Sequence, residues 1–226
     1  MTFMRMPPLT QFLGPWILDK NTTTNNQLTF EKKVLNQLID QLPKCSNFHQ
    51  SCDYKFKNGL PFIWKGFRQN TGYTYVLEET NDLDNIWKNM KGSLRTDIKN
   101  CRDKHKLTID RNSDISDFIL LHNAVFTRQN RKSPFKSDLL TKVFENSQNN
   151  NASELLIARD PEGQAHAGIL IVWDDTTIYY LLSGSDPTLR KSQALSMLLW
   201  EGIETASRQG KKFNFEGSMI ENIERH

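Results

Sequence analysis

Glu216 lies in the run Phe213-Asn-Phe-Glu-Gly-Ser218, where apolar and polar residues alternate immediately before a glycine. A carboxylate on a closing strand beside a cleft can serve as a general base, provided partial burial raises its pKa. It can equally bind backbone amides or pair with Arg190. Upstream, Leu182, Ser183 and Gly184 lead through a turn to Arg190, Lys191, Ser192, Gln193 and Ala194, the expected start of a helix. A helix start offers unpaired amides to an anion, so this stretch is the candidate donor pocket. A third group is basic: Lys88, Lys91, Arg95, Lys99, Arg102 and Lys106 recur every three or four residues. On one helix they fall within an arc of about 80°. They read as a solvated face or as a contact for phosphates, with Arg95 and Lys99 the best candidates. Trp173 and Tyr180 are placed to line an acceptor cleft together with Ser218, although large aromatics more often belong to a core. Cys45, His49 and Cys52 cluster without a fourth ligand nearby, so no metal site is expected. His122 and His166 sit in apolar segments and read as structural. There is no Ser-His-Asp order, Walker loop or dinucleotide fingerprint.

These side chains need a frame. Ala165 to Trp173 is apolar on both faces, turns at Asp174-Asp175-Thr176, and returns as Ile178 to Ser183, which predicts an antiparallel hairpin. Gly184-Ser185-Asp186-Pro187 reads as a turn outside any strand. Ser192 to Gln209 then carries Leu195, Leu198, Leu199, Ile203 and Ala206 at helical spacing, and Gly210 stops it. A short strand through Phe213 and Phe215 completes a right-handed βαβ crossover with parallel strands. Ligands of such units bind at the carboxyl ends of the strands and the amino end of the helix. Upstream, the pattern predicts one long helix from Asp82 to about Lys106. Shorter helices are expected near Ser116 to Gln129 and Ser137 to Glu145, with a strand from Glu154 to Arg159. Before that lies a smaller α+β lobe. Its helix runs through Val34, Leu38 and Leu42 to Pro43, and strands at Leu60 to Phe67 and Tyr73 to Leu77 are expected to pair around Gln69 to Gly72. The division is 1–80 and 81–226.

The motifs Tyr179-Tyr-Leu-Leu-Ser-Gly-Ser185, Arg190 through Glu201, and Phe213 to Ser218 resemble the GNAT superfamily of acyltransferases. More narrowly they resemble the branch containing the Fem aminoacyltransferases of cell-wall peptide bridges. That branch typically reads Phe-Asp-Phe-Gly-Gly-Ser on the closing strand, which this chain matches apart from Asn214 and Glu216. Gly92 to Asn100 resembles the helix that begins the branch's acyltransferase domain. The resemblance covers roughly residues 82–226. It implies a mixed α/β (α+β) sheet with flanking helices, transfer of an acyl group to an amine, and acyl-CoA (acetyl-CoA) or aminoacyl-tRNA as donor. A peptidoglycan precursor or another small amine is the implied acceptor, and a bacterial source is implied too. Acyl-CoA-binding members carry an Arg/Gln-x-x-Gly-x-Gly/Ala loop. Here Arg190 to Leu195 keeps the basic residue and lacks both glycines. Family members also continue past this strand, so the expectation is a domain truncated at its C-terminus. Both departures support the alternative of a non-catalytic binding protein that retains the fold.

With 226 residues the chain can bury a substantial core. A net charge of +3 is too small to imply nucleic-acid binding by itself. No apolar run approaches the ~18 residues of a membrane span, and none near the start suits a signal peptide. Three sparse cysteines suit reduced thiols. The expectation is a cytoplasmic protein.

Overall fold

A computed structural model describes residues 2–111 and 113–217. The chain divides into two compact units, Met1–Tyr73 and Thr74–His226.

In the first unit, strands β1 (Phe3–Met4) and β2 (Asn47–Phe48) pair in parallel, and helix α1 (Thr24–Asp40) buries Leu35 and Ile39. The expected strand at Leu60 to Phe67 is instead a short helix, α2 (Leu60–Trp64). The reason is legible afterwards. Pro61 occupies the first turn, where its missing N–H costs nothing, and Gly66 adopts φ +86° just past the end. Phe67 N–H then bonds to Phe62 O and Gly66 N–H to Ile63 O, the paired bonds of a glycine-terminated helix. Phe62 packs edge-on against Phe67 and Phe56. The expected partner strand also goes elsewhere, since β3 (Val76–Leu77) belongs to the second unit.

The second unit is built on a six-stranded mixed sheet. Helices α3 (Leu83–Asn89) and α4 (Gly92–Asp103) precede β4 (Thr108–Asp110), followed by α5 (Ile115–Thr127), α6 (Ser137–Asn149), β5 (Ser153–Arg159), β6 (Ala165–Trp173), β7 (Thr177–Ser185), α7 (Ala194–Arg208) and β8 (Lys212–Asn214). The spatial order is β3-β8-β7-β6-β5-β4, with only β7 and β8 parallel. The antiparallel hairpin and the parallel pairing across the helix therefore stand as read from the sequence. One face carries α7 and α4, through a core including Ile98, Leu156, Ile169, Ile178, Leu198, Ile203 and Phe213. The other carries α5 and α6, through Phe118, Leu121, Leu155, Ile157, Leu170 and Phe144. Burial on both faces explains why β5 and β6 read as nearly continuous apolar runs.

Two further expectations are corrected. The single helix from Asp82 to Lys106 breaks at Met90 and Lys91, whose ψ angles of 146° and 136° are extended. Leu94, which continues at helical spacing the apolar series of Leu83, Ile86, Trp87 and Met90, is exposed. Gly184 and Ser185 lie inside β7 rather than in a turn. Gly184 pairs with Gly168, and a Cβ at Gly184 would lie 2.3 Å from His122 N in α5. The glycine is there to let a helix backbone approach the sheet.

Candidate functional site

β7 is paired with β6 along its whole length, but with β8 only over Thr177 to Tyr179. From Tyr180 to Ser185 its other edge meets no strand among the described residues, because β8 ends at Asn214. At the same level β7 is bulged: Leu170 faces Leu182 while Ile171 faces Tyr180, so Leu181 is an extra residue. A bulge breaks the regular ladder and re-aims backbone groups. The parallel pair thus splays open beside irregular strand, with the start of α7 at the same carboxyl end. This is where a crossover unit accepts a ligand.

Asn214 and Glu216 stand at the opening. Glu216 adopts φ +59°, a left-handed conformation that a glutamate reaches only at a cost of ~1 kcal/mol or more. Its amide donates to Asn214 Oδ1 at 2.8 Å, and the same oxygen accepts from Thr74 Oγ1 at 2.6 Å. Phe215 N–H bonds to Tyr75 O, the last contact before the chain turns. Among the described residues, Glu216 Oε1 and the fully buried Asn214 Nδ2 have no hydrogen-bond partner. Burial alone pushes the Glu216 carboxyl up to about 7. No ion pair joins it to Arg190 among the described residues, and Arg190 is exposed.

The head of α7 is organised by a tight turn at Arg190–Ser192. Gln193 at its end has φ +56° and ψ 27°, the left-handed conformation usually given to glycine, at the place where the acyl-CoA loop pattern has its first glycine. The left-handed conformation is present here without a glycine. Ser196 N–H bonds back to Gln193 O, and no side chain caps the helix, so the amides of Ala194 and Leu195 head it. Arg190, Lys191 and Gln193 are exposed, whereas Ser192 and Ala194 are buried. Beneath the turn, the Cys101 thiol of α4 donates to Ser192 O at 3.0 Å, and desolvation pushes that thiol up to about 11. Such a cysteine is an inert strut. Cys101 and Ser192 are 91 residues apart, so local spacing carries no sign of this tie.

Of the other candidates, Tyr180 is hydrogen-bonded to Ser183 on the open stretch of β7, and desolvation raises its phenol. Leu182 and Ser183 are half-buried there. Ser183 O is bonded to His122 Nδ1 at 2.9 Å, so this histidine braces the strand from α5. Trp173 pairs with Ile178, seven residues from Ser185 along β7 and hence ~23 Å away. It lines a groove of about 600 Å³ at the opposite end of the sheet, with Arg111, Glu154, Thr205 and Arg208. Here every charge is met: Arg111 pairs with Glu154 and Glu201, and Arg208 pairs with Glu201 at 3.1 Å. The structure does not bring Trp173 to the splay. Arg95 donates to Trp87 O at 3.1 Å and Lys88 O at 2.5 Å, closing the C-terminus of α3. Lys99 is exposed on α4, and the break at Met90–Lys91 divides the basic ridge. Ser218 lies outside the described residues. Among those residues no group of three or more His, Cys, Asp or Glu forms a metal site. No helix among them is long and apolar enough to cross a membrane.

A mixed sheet that splays at a bulged strand, with a helix start at the opening, defines a class: acyltransferases of the GNAT fold. The acetyltransferase (GNAT) domain family matches residues 88–216, more than half of the sequence, and the chain belongs to that family. Among solved structures, FemX shares the fold with a TM-score of 0.64 at 11% identity, over 88% of this chain and 69% of that one. The C-terminal domain of a putative lysylphosphatidylglycerol synthetase from Agrobacterium fabrum gives 0.56 at 13%, over 90% and 64%. L-PGS from Bacillus licheniformis gives 0.55 at 15%, over 88% and 60%. The chain thus spans 60% to 69% of the length of these proteins, and at such identities the likeness concerns fold alone. No curated protein matches the sequence. The family and fold implied by the motifs are those observed, and acyl transfer is the activity class they support.

Proposed function

We propose that the chain transfers an acyl group from acyl-CoA to an amine, with Glu216 as general base. The observation that carries this reading is the half-buried Glu216 carboxyl: its Oε1 is shut off from solvent and has no partner among the described residues, it is raised to about 7, and it is set where β8 parts from β7. A base whose pKa lies near the working pH is the most effective one.

Acyl-CoA supplies a thioester, whose carbonyl carbon accepts the nitrogen. The amides of Ala194 and Leu195, with the exposed Arg190 and Lys191, suit its diphosphate. Backbone amides at the bulge, from Leu181 to Gly184, suit its carbonyl oxygen. Glu216 takes the proton that the amine nitrogen loses as the C–N bond forms. The C–S bond breaks, and that proton goes on to the departing sulfur, so no covalent enzyme intermediate is needed. The matched family supports acyl-CoA as donor and lends none to aminoacyl-tRNA, the other donor the motifs implied.

Thiol release from acetyl-CoA in the presence of a panel of primary amines, with the product identified by mass, tests the reading. Amine-dependent release, rising with pH through about 7, is the expected result. Failure of the folded chain to bind acetyl-CoA in calorimetry would overturn it and favour a non-catalytic binding protein.

A further inference from the structure

Asn214 has a side chain with two ends, and the structure accounts for one. Its Oδ1 accepts from Thr74 Oγ1 and from Glu216 N–H. An amide N–H only donates, so the carboxamide cannot be turned the other way and the free end is Nδ2. That nitrogen is fully buried and has no partner among the described residues. Two residues on, Glu216 Oε1 is also buried and without a partner among those residues. One orphan is a donor and the other an acceptor. Buried polar groups are nearly always paired, and two complementary orphans so close in the chain point to a ligand that completes both.

Under the reading above, Glu216 faces the nitrogen of the acceptor amine, and the bulge of β7 serves the donor's carbonyl oxygen. The Asn214 N–H is then left for an oxygen of the other reactant. We propose that Asn214 binds the acceptor, and that the acceptor carries a carbonyl or carboxylate oxygen on the carbon next to its amine-bearing carbon, as in an α-amino acid or a peptide N-terminus. An amine without that oxygen leaves a buried N–H unpaired, which favours the carbonyl-bearing acceptor by roughly ten- to a hundredfold. This inference rests on Glu216 meeting the amine; it fixes which amines are taken.

The test uses alaninamide and isopropylamine, which differ by the carboxamide, with concentrations expressed as free base. Binding of each is measured by calorimetry beside turnover with acetyl-CoA, for the wild type and for Asn214→Asp. The aspartate keeps an oxygen for Thr74 and the Glu216 amide but loses the donor. Its added charge acts on both amines and cancels in their ratio. The expected result is a wild-type preference for alaninamide of about tenfold or more, falling close to one in N214D. A wild-type ratio near one overturns the inference even if N214D folds poorly. So does a preference that N214D leaves intact. Selective binding of alaninamide without turnover supports the inference and sinks the acyl-transfer reading alone.

Discussion

The two ends of the six-stranded sheet both gather charge, and they differ in whether that charge is compensated. At the end lined by Trp173, Arg111, Glu154 and Arg208 line the groove of about 600 Å³, and ion pairs to Glu154 and to the buried Glu201 tie the two arginines together. At the end where β7 leaves β8, Glu216 Oε1 and Asn214 Nδ2 are buried with no partner among the described residues. Concavity alone would select the first end. A paired network has already spent its polar groups on itself, whereas an orphaned carboxylate keeps a raised pKa and a free oxygen for a reactant.

The sharpest way to break this contrast is Glu216→Gln. Turnover is expected to fall by ~10²-fold or more, with loss of the acid limb near pH 7. Stability should move the opposite way. The folded pKa of about 7 stands above the ordinary 4.5, so the folded state holds a proton that the unfolded state has released between these values. Stability therefore falls as pH rises from about 4.5 to about 7, and at pH 8 the glutamine should recover at most ~3 kcal/mol of it. Thermal melts of both proteins at pH 4.5 and pH 8 check the sign. A lower melting temperature with per-molecule activity intact would make Glu216 structural and erase the difference between the ends.

Glu201→Ala probes the other end. Glu201 is only 8% exposed and holds both arginines, so its removal should cost ~2 kcal/mol, the arginines being partly solvated. Denaturant midpoints measure that loss. The kcat of the folded fraction should match wild type, and a large loss of kcat there would place chemistry in the groove.

Smaller effects sharpen the donor side. Arg190→Ala with Lys191→Ala should raise the KM for acetyl-CoA several-fold and flatten its salt dependence, while the melting temperature barely moves. Smallest of all, Gln193→Gly relieves a left-handed residue and should leave stability unchanged or raised by ~1 kcal/mol, with donor affinity kept. A marked fall in affinity would mean that the Gln193 side chain, and not the turn, holds the donor.

The crossover from Ala165 to Phe213 was legible because its signals are local and agree: apolar runs of strand length, Asp-Pro and glycine punctuation, and one long helical stripe. The lobe was less so, since Leu60 to Phe67 is too short for periodicity to separate helix from strand, and Pro61 and Gly66 had to arbitrate. The helix break at Met90–Lys91 stayed hidden because an apolar stripe continues across it in sequence. Trp173 and Ser183 look close in the hairpin's sequence, yet antiparallel register sends them to opposite ends of the sheet.

By itself the sequence determined the order of elements, the parallel crossover and the family of the domain, because these follow from residue type and spacing along the chain. Only the tertiary structure decided the left-handed turn at Glu216, the half-buried carboxyl raised to about 7, the Asn214 clamp through Thr74, and the ion pairs that compensate Arg111 and Arg208 at the distant groove. Thr74 and Asn214 are 140 residues apart, and Arg111 and Glu201 are 90 apart. Whether a polar atom is satisfied depends on such distant neighbours, and local spacing carries no record of them.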